Sequence, residues 1–390
     1  MQLSRYEEDA LDGRYGDTVA LAYRVLVAIG NAIEADRLID VSWAHVSGVN
    51  YNTIGDAGLR FLEDISREGI KVKVKTTLNP MGYDRGRIEP TISDTFIERQ
   101  ERILDAYSRL GVTDIHSCTP YDRDVFPDIP PGGSQVSLAE SNAAIYANSV
   151  LDLLTNKESA ISALASAITG KAPYSNLRVQ ESRYAKVCID VRYEIKDELD
   201  YGLLGYYSGK LSEECIAFNG IDHDRLTSAD MKALCSALGT SGSTGMFRLQ
   251  SIDAKERYLF DRSDAMKVKD ELSDSDNGDI IVFGSPQLGL DELSSIIDML
   301  NGRRFRKRCM IFCARSVYSK ASRLGYVDAL ERANATLYSG CCACLTPLIS
   351  RDSVDSVITN SVKAAYYLRS WNKVGVCMRS MRSIIDNESV

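Results

Sequence analysis

Three segments in the last third of the chain repeat one pattern. Residues 279–284 (DIIVFG), 307–315 (KRCMIFCAR) and 335–340 (ATLYSG) are short apolar runs, and each is followed by a polar stretch and then by further chain with helical spacing. Such runs, rich in β-branched and aromatic residues, read as strands. A repeat of strand, loop and helix permits few folds. It predicts α/β layers with ligands gathered at the loops after the strands.

The first half obeys the same rule. Residues 17–34 carry apolar side chains at helical spacing behind a capping Asp17, and residues 37–48 read as a strand ending in a polar loop. Residues 55–69 read as a helix with glycine at its end. Residues 70–80 alternate Ile70, Val72 and Val74 with lysines, the pattern of a half-buried strand, and run into a Thr76-Thr77-Leu78-Asn79 loop. Residues 92–111 form an amphipathic helix closed by Gly111, 112–121 a short strand and polar loop, and 121–135 a Pro/Gly-rich loop. Further on, 186–196 reads as strand, 228–239 as helix ending in Gly239, and 361–369 as a late helix bearing Lys363. The GTSGSTG stretch at 239–245 lacks the spacing of either phosphate-loop motif and reads as a turn. Residues 1–390 are expected to form one catalytic region, with sub-domains 1–205 and 206–390.

Residues 139–149, AESNAAIYANS, stand out because a core helix does not need so many small polar groups and a solvated helix would use Lys, Glu and Arg. Ser137-Leu138-Ala139-Glu140 has the S-x-x-E form of a capping box, so the helix is expected to begin near Leu138. Its first turn would present Glu140, Ser141 and Asn142 beside unpaired backbone N–H groups, which favour anions. Glu140 is read either as a cap or as a ligand-facing group.

Composition excludes several classes. The chain has 390 residues with net charge −8, and no Lys/Arg stripe with interleaved aromatics, so nucleic acid is not an expected partner. Arg303 to Arg308 reads as a solvated turn before a strand. No stretch approaches ~18 consecutive apolar residues, and the acidic start MQLSRYEEDALDG does not resemble a signal peptide, so no membrane span is expected. Ten scattered cysteines suggest a reducing cytosol, hence a cytoplasmic protein. Only three histidines, His45, His116 and His223, leave little for a histidine metal site.

Polar residues cluster after the strands: His45 with Gly48 and Asn50; Thr76, Thr77 and Asn79; Cys118 to Tyr121; Gly284 to Gln287; Gly340 to Cys342. Cys118 is read as structural or reactive. Cys341, Cys342 and Cys344 are read as metal thiolates, for zinc or iron–sulfur, or as small core residues. The remaining cysteines read as core.

Taken together, WAHVSG, KVKTTLNPMGYD, SCTPY, AESNAAIYANSV, TNKES, GYYSGKL, MKALCSALGTSG, SPQLGLDEL and TNSVKAAYYL resemble segments of the aconitase X family in the same order, from about residue 3 to about residue 385. The resemblance implies an aconitase-like α/β catalytic core and a hydro-lyase acting on a small hydroxy acid, with an iron–sulfur centre (4Fe–4S) as Lewis acid. It implies a separate, small swivelling-domain subunit as partner. The expected substrate is mevalonate 5-phosphate. Cis-3-hydroxy-L-proline is the alternative, and a degenerate non-catalytic homologue is a third reading.

The resemblance carries catalytic roles onto His45, Thr76, Thr77, Asn79 and Tyr121. It carries substrate contacts onto Glu140, Ser141, Asn142, Asn148, Ser149, Lys157, Arg183, Ser361 and Lys363, with Arg183, Lys157, Arg248 and Lys363 weighed for a phosphate. It carries cluster ligation onto Cys118, Ser285 and Cys342. Two departures bear on this. Gly284-Ser285-Pro286-Gln287 stands where the family has Gly-Cys-Pro-His, and Phe247-Arg248 where it has Phe-His. Ser285 ligates as an alkoxide, or Cys341 or Cys344 stands in, or the cluster is weakened or lost.

Overall fold

In the computed structural model, which describes residues 1–211, 215–250 and 252–390, the chain builds three parallel sheets and one small antiparallel pair. The largest sheet runs, in spatial order, Ala335–Ser339, Cys309–Cys313, Ile280–Leu288, Ser356–Thr359 and Gly375–Met378. Every residue of Cys309–Cys313 and of Ile280–Leu288 is buried. Parallel strands covered on both faces need such unbroken apolar runs. A second sheet orders Met246–Arg248, Cys215–Asn219, Val187–Val191 and Glu256–Phe260. The third places Trp43–Val46 between Lys75–Leu78 and Ser137–Leu138. Leu38–Asp40 pairs antiparallel with Lys171–Pro173. The α/β class read from the alternation holds.

The helix Glu198–Gly209 runs across residue 205, where two sub-domains were expected to meet. The second sheet takes strands from both sides of that point.

Five local readings change. The helix expected to stop at Gly239 continues to Ser241. Gly239 is there for closeness: a Cβ on it would lie 2.7 Å from Ser141 Oγ on the helix Ser141–Ser149. The capping box at Ser137 does not form. Ser137 and Leu138 pair as a strand with Ala44 and His45, and the helix begins at Ser141 with Glu140 as its cap residue but without a side-chain cap bond.

The alternating 70–80 segment is strand only over Lys75–Leu78. Before it, Val72 N–H donates to Leu110 and Lys73 N–H to Ala167, two different elements, so no ladder can form. Residues 112–121 contribute one isolated bridge, His116 to Leu78, and no strand.

The strand read as 279–284 instead extends to Leu288. It bends at Gly284, φ 137°, where a Cβ would come within 2.8 Å of Phe312 Cβ, and Ser285 follows in the left-handed region at φ 65°. Strand pairing shifts register there, which turns the 285–287 side chains out of the regular ladder.

Candidate active site

A single line of hydrogen bonds joins four sequence segments. Trp43 Nε1 donates to Thr77 Oγ1 at 3.1 Å, and Thr77 Oγ1 lies 2.8 Å from His45 Nδ1. His45 Nε2 lies 2.7 Å from Asn79 Oδ1, and Asn79 Nδ2 donates to Glu140 Oε2 at 2.9 Å. The Lys363 ammonium closes the line on Glu140 Oε1. His45 and Thr77 lie inside adjacent strands, paired in register, and not in the loops expected for them.

The direction of this line follows from donor counting. An ionised carboxylate only accepts, so Asn79 turns its NH₂ to Glu140 and its oxygen to His45. His45 Nε2 therefore carries the hydrogen. Its Nδ1 accepts from the Thr77 hydroxyl, which itself accepts from Trp43. Every bond from Trp43 onward points toward Glu140.

The charges agree. Burial strips water from the imidazolium and pulls His45 down to about 4, against the opposing Asn79 bond, so the ring is neutral. Burial pushes Glu140 up, but the Lys363 ammonium outweighs it and holds the carboxyl below its usual range. Burial lowers Lys363, and Glu140 followed by Cys118 more than reverses this. Both imidazole nitrogens of His45 are engaged, which suits a residue that orients Asn79 and Glu140.

The cysteines face the same point. The Gln287 N–H donates to Cys118 Sγ at 3.2 Å. Cys118 lies in the field of Cys342, Glu140 and Lys363. The thiols of Cys342 and Cys344 act on each other electrostatically, and the Ser285 hydroxyl acts on both. The Cys344 thiol, with its own backbone N–H adding to it, draws Cys342 down to about 7 against burial. Burial pushes the Cys341 thiol well up, and Asp84, Cys342 and Cys313 add to this.

Ser361 Oγ donates to Ser285 O at 2.5 Å and accepts from Ala364 N, so it ties the turn carrying Lys363 to the strand carrying Ser285. Asn142 donates to Cys118 O and accepts from Tyr121 OH, which fixes the Cys118 loop. Tyr121 stacks on Tyr146 with ring centroids 3.9 Å apart.

Several expected site residues are occupied elsewhere. Thr76 Oγ1 donates to Val74 O. Asn148 binds Thr155 through both its amide groups, together with Gly245 O and Arg183. Arg183, 1% exposed, also donates to the carbonyls of Leu177 and Asn148, and its own carbonyl accepts from Arg248. These bonds leave Arg183 to brace the fold. Ser149 Oγ accepts from Phe247 N, and Ser141 packs against Gly239.

Lys157 donates to Gly242 O at 2.7 Å. Burial, then the nearby Lys363, lowers it to about 8, so it stands as a second cation beside the Lys363 end. Arg303 to Arg308 is knit to its surroundings: Arg306 donates to Asn387 O, Lys307 pairs with Glu388, and Arg308 with Glu89.

Among the described residues, no three His, Cys, Asp or Glu side chains are arranged to hold a single metal ion, which removes the zinc reading of Cys341, Cys342 and Cys344. An iron–sulfur cluster differs because its thiolates bind separate irons and stand farther apart. Three buried thiols, a backbone N–H aimed at one of them and a nearby lysine fit that chemistry. The Gln287 Oε1, buried and without a partner among the described residues, marks the same place as polar. Sequence reading passed over Trp43 and saw Gln287 only as a departure from the family pattern. Only the pairing of distant segments reveals them, whereas the density of thiols at 341–344 already singled out Cys344.

Profiles described as the first, second and third domains of aconitase X match residues 1–181, 185–278 and 278–389. A phosphomevalonate dehydratase large subunit from Methanothermobacter thermautotrophicus is 38% identical, over 94% of this chain and 93% of its own. One from Thermococcus kodakarensis is 34% identical over 95% and 96%. A cis-3-hydroxy-L-proline dehydratase from Hypocrea jecorina is 30% identical over 94% of this chain and 65% of its own. The crystal structure of Thermococcus kodakaraensis aconitase X in its holo-form superposes with a TM-score of 0.91 at 33% identity, covering all of both chains. No helix among the described residues is long and apolar enough to cross a membrane.

Proposed function

Because this chain belongs to the aconitase X family, we propose that it is the large, catalytic subunit of a phosphomevalonate dehydratase. It would remove water from mevalonate 5-phosphate to give anhydromevalonate 5-phosphate. The carrying observation is the set of five archaeal relatives of that name, 32% to 38% identical and matched over 92% to 99% of their own lengths. The two hydroxyproline dehydratases are 30% and 31% identical over 65% and 66% of theirs. The relatives' "large subunit" name supports a separate small subunit as partner, and ten buried free thiols suit a reducing cytosol.

An iron–sulfur cluster held from Cys118 and Cys342 would supply the Lewis acid that a leaving hydroxyl needs. The chain's own residues bind and orient. Lys363 and Lys157 bring positive charge to one end of the site, where a carboxylate or phosphate would be held. Glu140, kept ionised by Lys363 and fixed by Asn79, accepts a hydrogen bond from a substrate hydroxyl. A carboxylate held this low is a weak base, so Glu140 orients substrate and does not take the proton beside the substrate carboxylate. We assign that proton to a group on the small subunit.

The test is a substrate panel with the anaerobically purified two-subunit complex. Water loss from mevalonate 5-phosphate, with none from mevalonate or cis-3-hydroxy-L-proline, is the expected result. Turnover of the hydroxyproline would overturn it. Ser285 and Gln287, which depart from the family pattern, favour one other reading, a homologue without catalysis. An iron-loaded complex inert toward the whole panel would establish that reading.

A further inference from the structure

We propose that Glu198 and Gly202, one turn apart on the helix Glu198–Gly209, are positioning residues for substrate binding: together they set where Lys363 stands. The inference rests on the reading, given above, that Lys363 holds a charged group of the substrate.

Lys363 is the second residue of the short helix Val362–Tyr367, so the turn in front of that helix decides where its ammonium lies. Residues four apart share one face of a helix, and here both grip that turn. Glu198 Oε1 accepts from Asn360 Nδ2 at 3.0 Å and from the Met381 N–H at 2.7 Å, which ties the turn to the start of the helix Met381–Glu388. One turn on, Gly202 faces Val362. A Cβ added to Gly202 would lie 2.8 Å from Val362 Cγ2 and 3.4 Å from Val362 Cβ, so only a bare Cα lets Val362 seat there. Between the two, Ser361 Oγ donates to Ser285 O at 2.5 Å and holds the turn against the strand.

This grip governs position more than folding. Val362 is β-branched and stiff at χ1, so it does not swing away from an added methyl. The turn has to move with it. A cavity of about 40 Å³, lined by Glu198, Gly202, Ser361 and Val362 among others, gives it room to move without unfolding. Lys363 travels with the turn, and an ammonium displaced by about 1 Å no longer meets the substrate in a productive direction.

Calorimetric binding of mevalonate 5-phosphate to the two-subunit complex, with KM and kcat on the same preparations, tests this. Gly202→Ala is expected to raise Kd and KM on the order of 10-fold, the loss of a hydrogen bond to a charged group, with kcat per folded molecule kept. Adding Val362→Ala makes room for the new methyl and is expected to bring both constants most of the way back. Glu198→Ala is expected to weaken binding in the same way. Glu198→Gln, whose amide oxygen can accept from both donors, is expected to keep the wild-type values. A role in folding alone would lower Tm and the active fraction but leave Kd and KM, which belong to the folded molecules, where they were. Folded Gly202→Ala and Glu198→Ala complexes with wild-type Kd and KM overturn the proposal and leave the substrate reading intact. Weakened binding that Val362→Ala does not relieve overturns it too. Where Gly202→Ala does not fold, the Glu198→Ala and Glu198→Gln pair decides. A folded wild-type complex that binds no mevalonate 5-phosphate overturns the substrate reading and this inference with it.

Discussion

Two buried ion pairs in this chain look alike and behave differently. Arg178–Glu158 has side chains 0% and 7% exposed, and Lys363–Glu140 11% and 9%. Arg178 also donates to Gln135 Oε1 and to Leu154 O, so its charge is shared over neutral acceptors that hold the loops around residues 135 and 154. Arg183, close by in sequence, is bound in the same way. Among the described residues Lys363 donates to Glu140 alone, and it faces three thiols. A buried cation spread over several neutral acceptors is architecture. One with donors to spare, beside ionisable groups, can receive a ligand.

Cutting each pair tests that difference. Glu140→Gln and Glu158→Gln should each cost about 3–5 kcal/mol, because each leaves a buried cation unpaired. Only Glu140→Gln should also cut turnover per folded molecule, on the order of 10²–10³-fold. Thermal melts and kcat measured on the same preparations separate the two. A Glu158→Gln complex equally dead per folded molecule would break the comparison.

The His45 line gives a pH signature that the arginine region lacks. The ring has its pKa lowered to about 4 in the folded chain, against about 6.5 unfolded. The unfolded state therefore binds the extra proton first, and stability falls as pH drops from about 6.5 to about 4, by roughly 3 kcal/mol in all. Denaturant melts across that range should show the loss, and His45→Gln should flatten it. An unchanged slope in the variant would assign the effect to other groups.

Asn148→Ala sharpens the structural side. It strands Thr155, Gly245 and Arg183 groups, at a cost of about 1–3 kcal/mol, with KM and kcat unchanged in the folded fraction. A raised KM for a phosphorylated substrate would return Asn148 and Arg183 to the binding site. The smallest effect belongs to Trp43→Phe, which removes the first donor of the line and should cost about 1 kcal/mol by melting. Freed of that donor, the Thr77 hydroxyl loses its fixed direction, so the ¹⁵N shifts of His45 should change as well. Identical shifts would mean that Trp43 does not set the tautomer.

Much of the fold was legible because it is local. The runs IIVF and CMIF carry their own burial, and the helix 94–109 carries its own spacing and its Ser93 cap. In the polar strip at 139–149, Glu140 joins the hydrogen-bond line from His45. What the strip holds was read less well. Ser141, Asn148 and Ser149 face protein, and Glu140 is held by Asn79 and Lys363, 61 and 223 residues away.

The capping box at Ser137 failed for the same reason. A local S-x-x-E pattern competes with a strand partner at Ala44 and a lysine at 363, and the long-range partners won. Sequence alone determined the α/β class and the family, since periodicity and motif order are properties of neighbours along the chain. Only the tertiary structure decided which buried charges are tied to neutral acceptors and which lie beside the thiols. A hydrogen bond or an ion pair depends on distance through space, and the chain closes that distance only when its sheets have formed.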